Sequence, residues 1–199
     1  MEWAHPSGAM LAYKPSAAFD KKLSFIEYYE SVFHHEIVGG FRINDNHYVG
    51  AEAFTENVEL QALQDLEWNI KSVAGRYRFS FLDGFSIEPG GRYRYGSGEE
   101  IAGNEFDAYL WEASLRFGYT RTKLFDGFAR FSTVRVETDD NIPYQMMSGY
   151  SAGMTYRLEA SAQLSVNQNI SFGLHYVLRF GDAEENIFQK LSMEARAMF

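Results

Sequence analysis

The sequence predicts an all-β protein: a closed, antiparallel, up-and-down transmembrane β-barrel of about ten strands, with eight or twelve also fitting. Three observations carry this prediction. Apolar and polar residues alternate with a period of two along most of the chain. Short turns alternate with longer acidic connections between those stretches. The apolar parity places aromatics near the strand ends and small residues between them, which matches two interfacial belts around a lipid-facing band.

The strands follow in chain order. The first is expected near residues 8–19, with Pro15 inside it. The second is expected over 22–43. Its "LSFIEYYESVF" also fits a helix, through Leu23, Ile26, Tyr29 or Glu30, and Phe33, but strand is preferred because the even count then closes a barrel. Strands follow at 47–60 and 68–81. In the latter, Val73, Gly75, Tyr77, Phe79 and Phe81 oppose Ser72, Ala74, Arg76, Arg78 and Ser80. A strand at 85–96 precedes one at 107–120, where Tyr109, Trp111, Ala113, Leu115, Phe117 and Tyr119 oppose Leu110, Glu112, Ser114, Arg116, Gly118 and Thr120. The remaining strands are expected at 124–138, 149–166, 169–182 and 187–199.

Four short connections read as three-residue hairpin loops: Asn44-Asp45-Asn46, Leu82-Asp83-Gly84, Arg121-Thr122-Lys123 and Asn167-Gln168-Asn169. An odd loop length keeps the apolar parity on one face of both strands. Around Gly84 it sets Phe81 opposite Phe85, Phe79 opposite Ile87 and Arg78 opposite Glu88. The longer connections, near 56–67, 96–107, 137–148 and 181–186, are acidic.

Three features set the apolar parity toward lipid rather than toward a soluble core. The polar parity mixes Arg and Glu with Ser and Gly, as a narrow lumen filled by ion pairs requires. Aromatics stand at both ends of the apolar parity. Small residues on it, such as Gly75, Ala113, Ala160 and Ala162, would leave a soluble core badly filled. A soluble β-sandwich or ligand-binding barrel is the alternative, and strands of this length are long for one.

Composition bounds the rest. The 199 residues read as one domain, residues 1–199, or as the C-terminal barrel of a longer protein. There is no cysteine, so no disulfide frame and no thiolate metal site. No metal site and no cofactor is expected. The net charge of −9 argues against nucleic acid. No run of about 18 apolar residues occurs, so any crossing falls to strands. The start, "MEWAHPSGAM", shows no basic region followed by an apolar core, so the chain is read as a cytoplasmic protein, a mature form or a fragment.

The last stretch, "IFQKLSMEARAMF", alternates Ile187, Leu191, Met193, Ala195 and Ala197 on one face and ends on Phe199. It resembles the C-terminal strand of Gram-negative outer-membrane β-barrel proteins, in which a terminal aromatic is read by the barrel-assembly machinery. No particular family is matched. The resemblance implies location in the bacterial outer membrane, Phe199 as the assembly signal, and lipopolysaccharide and the assembly machinery as partners.

Charges sort by parity. The expected lumen network comprises Arg76, Arg78, Glu88, Arg92, Arg94, Glu112, Arg116, Arg157, Glu159, Arg179, Glu194 and Arg196, with Arg42, Arg130, Lys190, Glu36, Glu52 and Asp126 on the same parity. The set leans basic. The acids Glu56, Glu59, Asp65, Glu67, Glu99, Glu100, Glu105, Asp107, Glu137, Asp139, Asp140, Asp182, Glu184 and Glu185 are assigned to long loops on one rim, where a protein partner could dock. His34 and His35 are adjacent and point to opposite faces, so they cannot share a metal. His175 is expected inward near Ser161, with Glu159 further along that strand. These are the ingredients of a hydrolase triad, but a polar network in the wall is the simpler role. The expected function is therefore non-enzymatic: a small outer-membrane barrel with a structural, anchoring or surface-interaction role and a largely plugged lumen. The alternatives are a narrow anion-preferring pore or transport or translocation component, and a membrane-embedded lipid-modifying enzyme or protease.

Overall fold

The computed structural model describes the chain except residues 1, 5–7, 24–26, 62–65, 101–104, 122–123, 139–141, 143–145, 167–169, 184–186 and 198–199. The described residues form eleven strands: β1 (Glu2–Ala4), β2 (Ala9–Leu23), β3 (Glu27–Asn44), β4 (His47–Gln61), β5 (Leu66–Phe81), β6 (Phe85–Glu100), β7 (Glu105–Arg121), β8 (Phe125–Glu137), β9 (Gly153–Ser165), β10 (Ile170–Gly181) and β11 (Phe188–Ala197). They pair antiparallel in strict chain order in a single sheet. Every connection is therefore a hairpin, as the alternation of turn signals requires.

The sheet is not closed, which corrects the expected barrel. Its order runs from β1 to β11 and stops there. Among the described residues no ladder joins β11 to β1 or β2. Part of the β2 edge is instead taken by the three-residue β1, through Glu2↔Ala12, Trp3↔Leu11 and Ala4↔Met10. The physical reason is simple. Alternation describes the two faces of each strand and is the same in an open curled sheet as in a cylinder. Closure needs the first and last edges to meet in register, and an even strand count does not impose that.

The N-terminal elements also differ from expectation. Residues 27–33 are strand, paired with 17–23, so the helical alternative fails there. The ladder runs on to Leu23↔Glu27, so residues 20–21, where the sequence reading put the bend, are strand. The turn at Leu82-Asp83-Gly84 has the expected three residues. Phe81 faces Phe85, Gly84 lies at φ +95°, and a Cβ there would strike Thr120 O. The bend after β3 is tighter: Asn44 faces His47, and a register shift between Arg42 and Asn44 absorbs the odd residue. After β7, Arg121 faces Phe125 and so belongs to the strand, while Thr122 and Lys123 lie outside the described residues. The Asn167-Gln168-Asn169 turn lies outside the described residues. Two long connections prove short, because β4, β5, β6 and β7 continue through much of 56–67 and 96–107.

The outward parity is apolar and exposed over the middle of the sheet. Ile37, Val49, Val73, Trp111, Leu115, Phe117, Phe131, Phe172 and Leu174 all lie open to the surroundings. At the short-turn end, aromatic rings follow one another around the wall. His47 stacks on Phe79 at 4.9 Å, Phe79 on Phe81 at 5.6 Å, Phe81 on Phe85 at 6.2 Å, and Phe85 meets Tyr119 at 4.4 Å. A second group stands toward the other end: Tyr93 with Trp111 at 4.4 Å, Tyr95 with Tyr109 at 5.2 Å, and Tyr156 with Phe180 at 5.4 Å. The steps from Tyr109 to Tyr119 on β7, at about 3.3 Å each and tilted by about 40°, span roughly 25 Å, the height of a bilayer's apolar band.

A buried apolar cluster occupies one end of the inner face. Val58 (β4), Trp68 and Ile70 (β5), Phe106, Ala108 and Leu110 (β7), Val134 and Val136 (β8) pack with Met146, Met147 and Tyr150 from the β8–β9 connection. At the same level the outward parity is polar: Asn57 and Glu59, Glu67 and Asn69, Ser97 and Glu99, Glu105 and Asp107, Arg135 and Glu137. The two faces thus exchange polarity along each strand. Between the belts the outside is apolar and the inside charged. Beyond the second belt the outside is wet and the inside dry, as in a soluble β-protein.

Candidate functional site: the charged inner face

The inward parity of the band carries alternating cations and anions because every second residue of each strand points there. Glu88 on β6 is 4% exposed and lies between two arginines, Arg78 (Nε to Oε2, 2.7 Å) and Arg116 (Nη1 to Oε1, 4.0 Å). Pro89, which lacks an N–H, interrupts the β5–β6 ladder beside it, so the Arg78–Glu88 pair stands where two rungs are missing. Arg92 reaches Glu52 on β4 at 3.8 Å and Glu112 on β7 at 4.0 Å. Arg116 also covers the Phe128 ring at 4.1 Å. Near the last strands Glu159 takes Arg157 at 2.8 Å and His175 Nε2 at 3.0 Å. Arg196 and Glu194 pair at 2.5 Å on β11 and are exposed, being next to the open edge.

Arg76 and Arg130 line a cavity of about 100 Å³ with Glu52, Glu88, Arg92 and Glu112. Glycines leave space for these side chains. A Cβ on Gly50 would stand 3.0 Å from Arg76 Nε, and one on Gly90 3.2 Å from Ser114 Oγ. Six arginines, Arg92, Arg94, Arg116, Arg130, Arg157 and Arg179, each keep a buried Nε–H with no acceptor among the described residues. A buried donor without a partner is costly. Each of the six therefore calls for water or another acceptor beside it.

Other residues singled out by sequence fall as follows. His34 points inward to Glu56 at 3.1 Å, and His35 points outward to Tyr13 OH at 2.7 Å, on opposite faces. His175 lies between Ser161 of β9 and Ser192 of β11 on one rung, with Glu159 on its Nε2. Among the described residues no group of three or more His, Cys, Asp or Glu could hold a metal. Phe199 lies outside the described residues. The acids assigned to loops are mostly on strands. Glu59, Glu67, Glu99 and Glu105 are ladder partners in succession across β4, β5, β6 and β7, all exposed on the outer face.

Sequence reasoning missed the inner apolar cluster and its seat for the β8–β9 connection. The signal was present in "EFDAYL": Phe106, Ala108 and Leu110 are apolar on the parity that turns charged at Glu112.

The whole sheet is similar to known solved structures. The β domain of the Bordetella autotransporter BrkA superposes with a TM-score of 0.59 at 14% identity, covering 100% of this chain and 86% of that one. The translocator domain of the autotransporter NalP from Neisseria meningitidis gives 0.57 at 8% identity, covering 94% of this chain and 74% of that one. The NanC porin gives 0.52 at 8% identity, covering 100% and 97%. At these identities the likeness is one of fold, the fold of Gram-negative outer-membrane β domains. No protein-family model and no curated protein matches the sequence.

Proposed function

We propose that this chain is the β domain of an outer-membrane transport or translocation component whose inner face favours anions. One observation carries the reading: six inward arginines whose buried Nε–H groups have no acceptor among the described residues, set inside an apolar, aromatic-belted wall. Carboxylates or phosphates would satisfy those donors, and cations would meet like charge. The likeness to translocator and porin domains supports passage over a purely structural or anchoring role. In this reading the outer membrane and its lipopolysaccharide surround the wall, the barrel-assembly machinery inserts it, and the Arg157–Glu159–His175 group braces the inner face rather than catalysing.

The test is single-channel recording in planar bilayers under a KCl gradient. Current is expected, with a reversal potential displaced toward that of chloride. Replacing Arg92 and Arg130 with Glu should shift it toward potassium. No current across many insertions, or cation preference in the unmodified protein, would remove the reading.

A further inference from the structure

The β8–β9 connection ends in an ordered turn over residues 147–150. Ser148 and Gly149 have φ of +57° and +77°, and Tyr150 N donates to Met147 O at 3.1 Å. Two successive left-handed residues mark a type I′ turn. The turn sets Met146 and Met147 into the inner face, each 0% exposed. Gly96 on β6 makes the room, since a Cβ there would collide with Met146 and stand 3.0 Å from Met147 Cε.

What grips the turn is two arginines from two strands, with a third arginine beside them. Arg94 of β6 donates Nη1 to Met146 O at 3.3 Å, and Arg179 of β10 donates Nη1 to Gly149 O at 3.4 Å. Arg179 also lies over the Tyr150 ring at 4.9 Å, and Arg157 of β9 stands opposite Arg179 on the β9–β10 ladder, its Nη2 on Glu159 at 2.8 Å. Both carbonyl bonds sit at the long end of the hydrogen-bond range. All three guanidiniums keep a buried Nε–H without an acceptor among the described residues, and Arg94 is only 8% exposed. Guanidinium groups of this kind are incompletely served by neutral carbonyls. A charged acceptor bonds roughly twice as strongly as a neutral one and takes two guanidinium donors at once.

We propose that Arg94, Arg157 and Arg179 form an oxyanion seat, for carboxylate or phosphate groups, which compete for it with the 146–150 turn. A bound anion takes the donors from the carbonyls, evicts the turn and withdraws Met146 and Met147 from the inner face. The seat deepens the anion-passage reading and rests on it for its purpose, by naming the ligand class and the stopper that the ligand moves.

A nitroxide label reports the turn directly. The chain has no cysteine and Ser148 is exposed, so S148C gives a single site. In phosphatidylcholine vesicles and sodium chloride the label should be immobilised. Inorganic phosphate at constant ionic strength should mobilise it. Phosphatidylglycerol in the vesicles, without phosphate, should not, because the seat lies on the inward parity. Arg94→Gln and Arg179→Gln should free the label in chloride alone. Arg157→Gln should raise the half-saturating phosphate concentration roughly tenfold, the loss of about one charge-assisted hydrogen bond. Gly96→Val should unseat the turn without touching an arginine. A label that stays immobile through the phosphate titration, is mobile in chloride from the outset, or responds to phosphatidylglycerol alone overturns the proposal. A silent bilayer with a phosphate-responsive label would remove passage and keep the seat. A conducting bilayer with an unresponsive label would do the reverse.

Discussion

Glu88 shows how much a single inward side chain carries. It accepts from Arg78 and is the shared counter-ion of Arg78 and Arg116, and its burial excludes water as a substitute. Glu88→Ala leaves two guanidiniums facing each other across a cavity and should destabilise the fold by about 3 kcal/mol, read as a lowered melting midpoint in detergent. The pairing follows from parity and a three-residue turn at Gly84, so this contact was legible in the sequence. The tryptophans test which face meets lipid. Trp111 is outward and 53% exposed, whereas Trp68 is inward and 5% exposed. In vesicles of brominated lipid, a protein carrying Trp111 alone should be strongly quenched and one carrying Trp68 alone should not. Equal quenching would contradict the assignment of faces.

The strand is the scale at which polarity inverts. On β7 the outward face runs Glu105, Asp107, then Tyr109, Trp111, Leu115, while the inward face runs Phe106, Ala108, Leu110, then Glu112. A strand outlasting the bilayer meets a different solvent on its outer side, so the hydrophobic effect drives the other parity inward there. Reading each strand as one uniform pair of faces hid this, and it misassigned strand acids to loops. The row Glu59, Glu67, Glu99 and Glu105 places like charges in direct cross-strand opposition, which is destabilising. Replacing Glu67 and Glu99 with Gln should therefore raise stability by roughly 0.5 kcal/mol each at low salt. The gain should fade in concentrated salt, as thermal melts at two ionic strengths would show.

At the scale of the whole molecule the open edge matters most. Every described residue of β11 up to Arg196 is exposed, and its outer edge has no ladder partner among the described residues. Backbone groups left unpaired in hydrocarbon cost several kcal/mol each. Strand β11 should therefore be the first to open. Hydrogen exchange in detergent should run at least roughly tenfold faster in β11 than in β6 and β7, which are paired on both sides. Comparable protection in all three would show that something covers the edge.

By itself the sequence determined which side chains share a face, where most hairpins bend, and that the wall is greasy outside and charged within. Those properties follow from a period of two and from turn chemistry, which act over a few residues. Whether the first and last strands meet, and which connection folds inward, were decided only in three dimensions. Edge pairing depends on curvature summed over the whole sheet, and the seat of the 146–150 turn is assembled from β4, β5, β6, β7, β8 and β10, far apart in the chain. No local pattern encodes a space that exists only once those strands stand side by side.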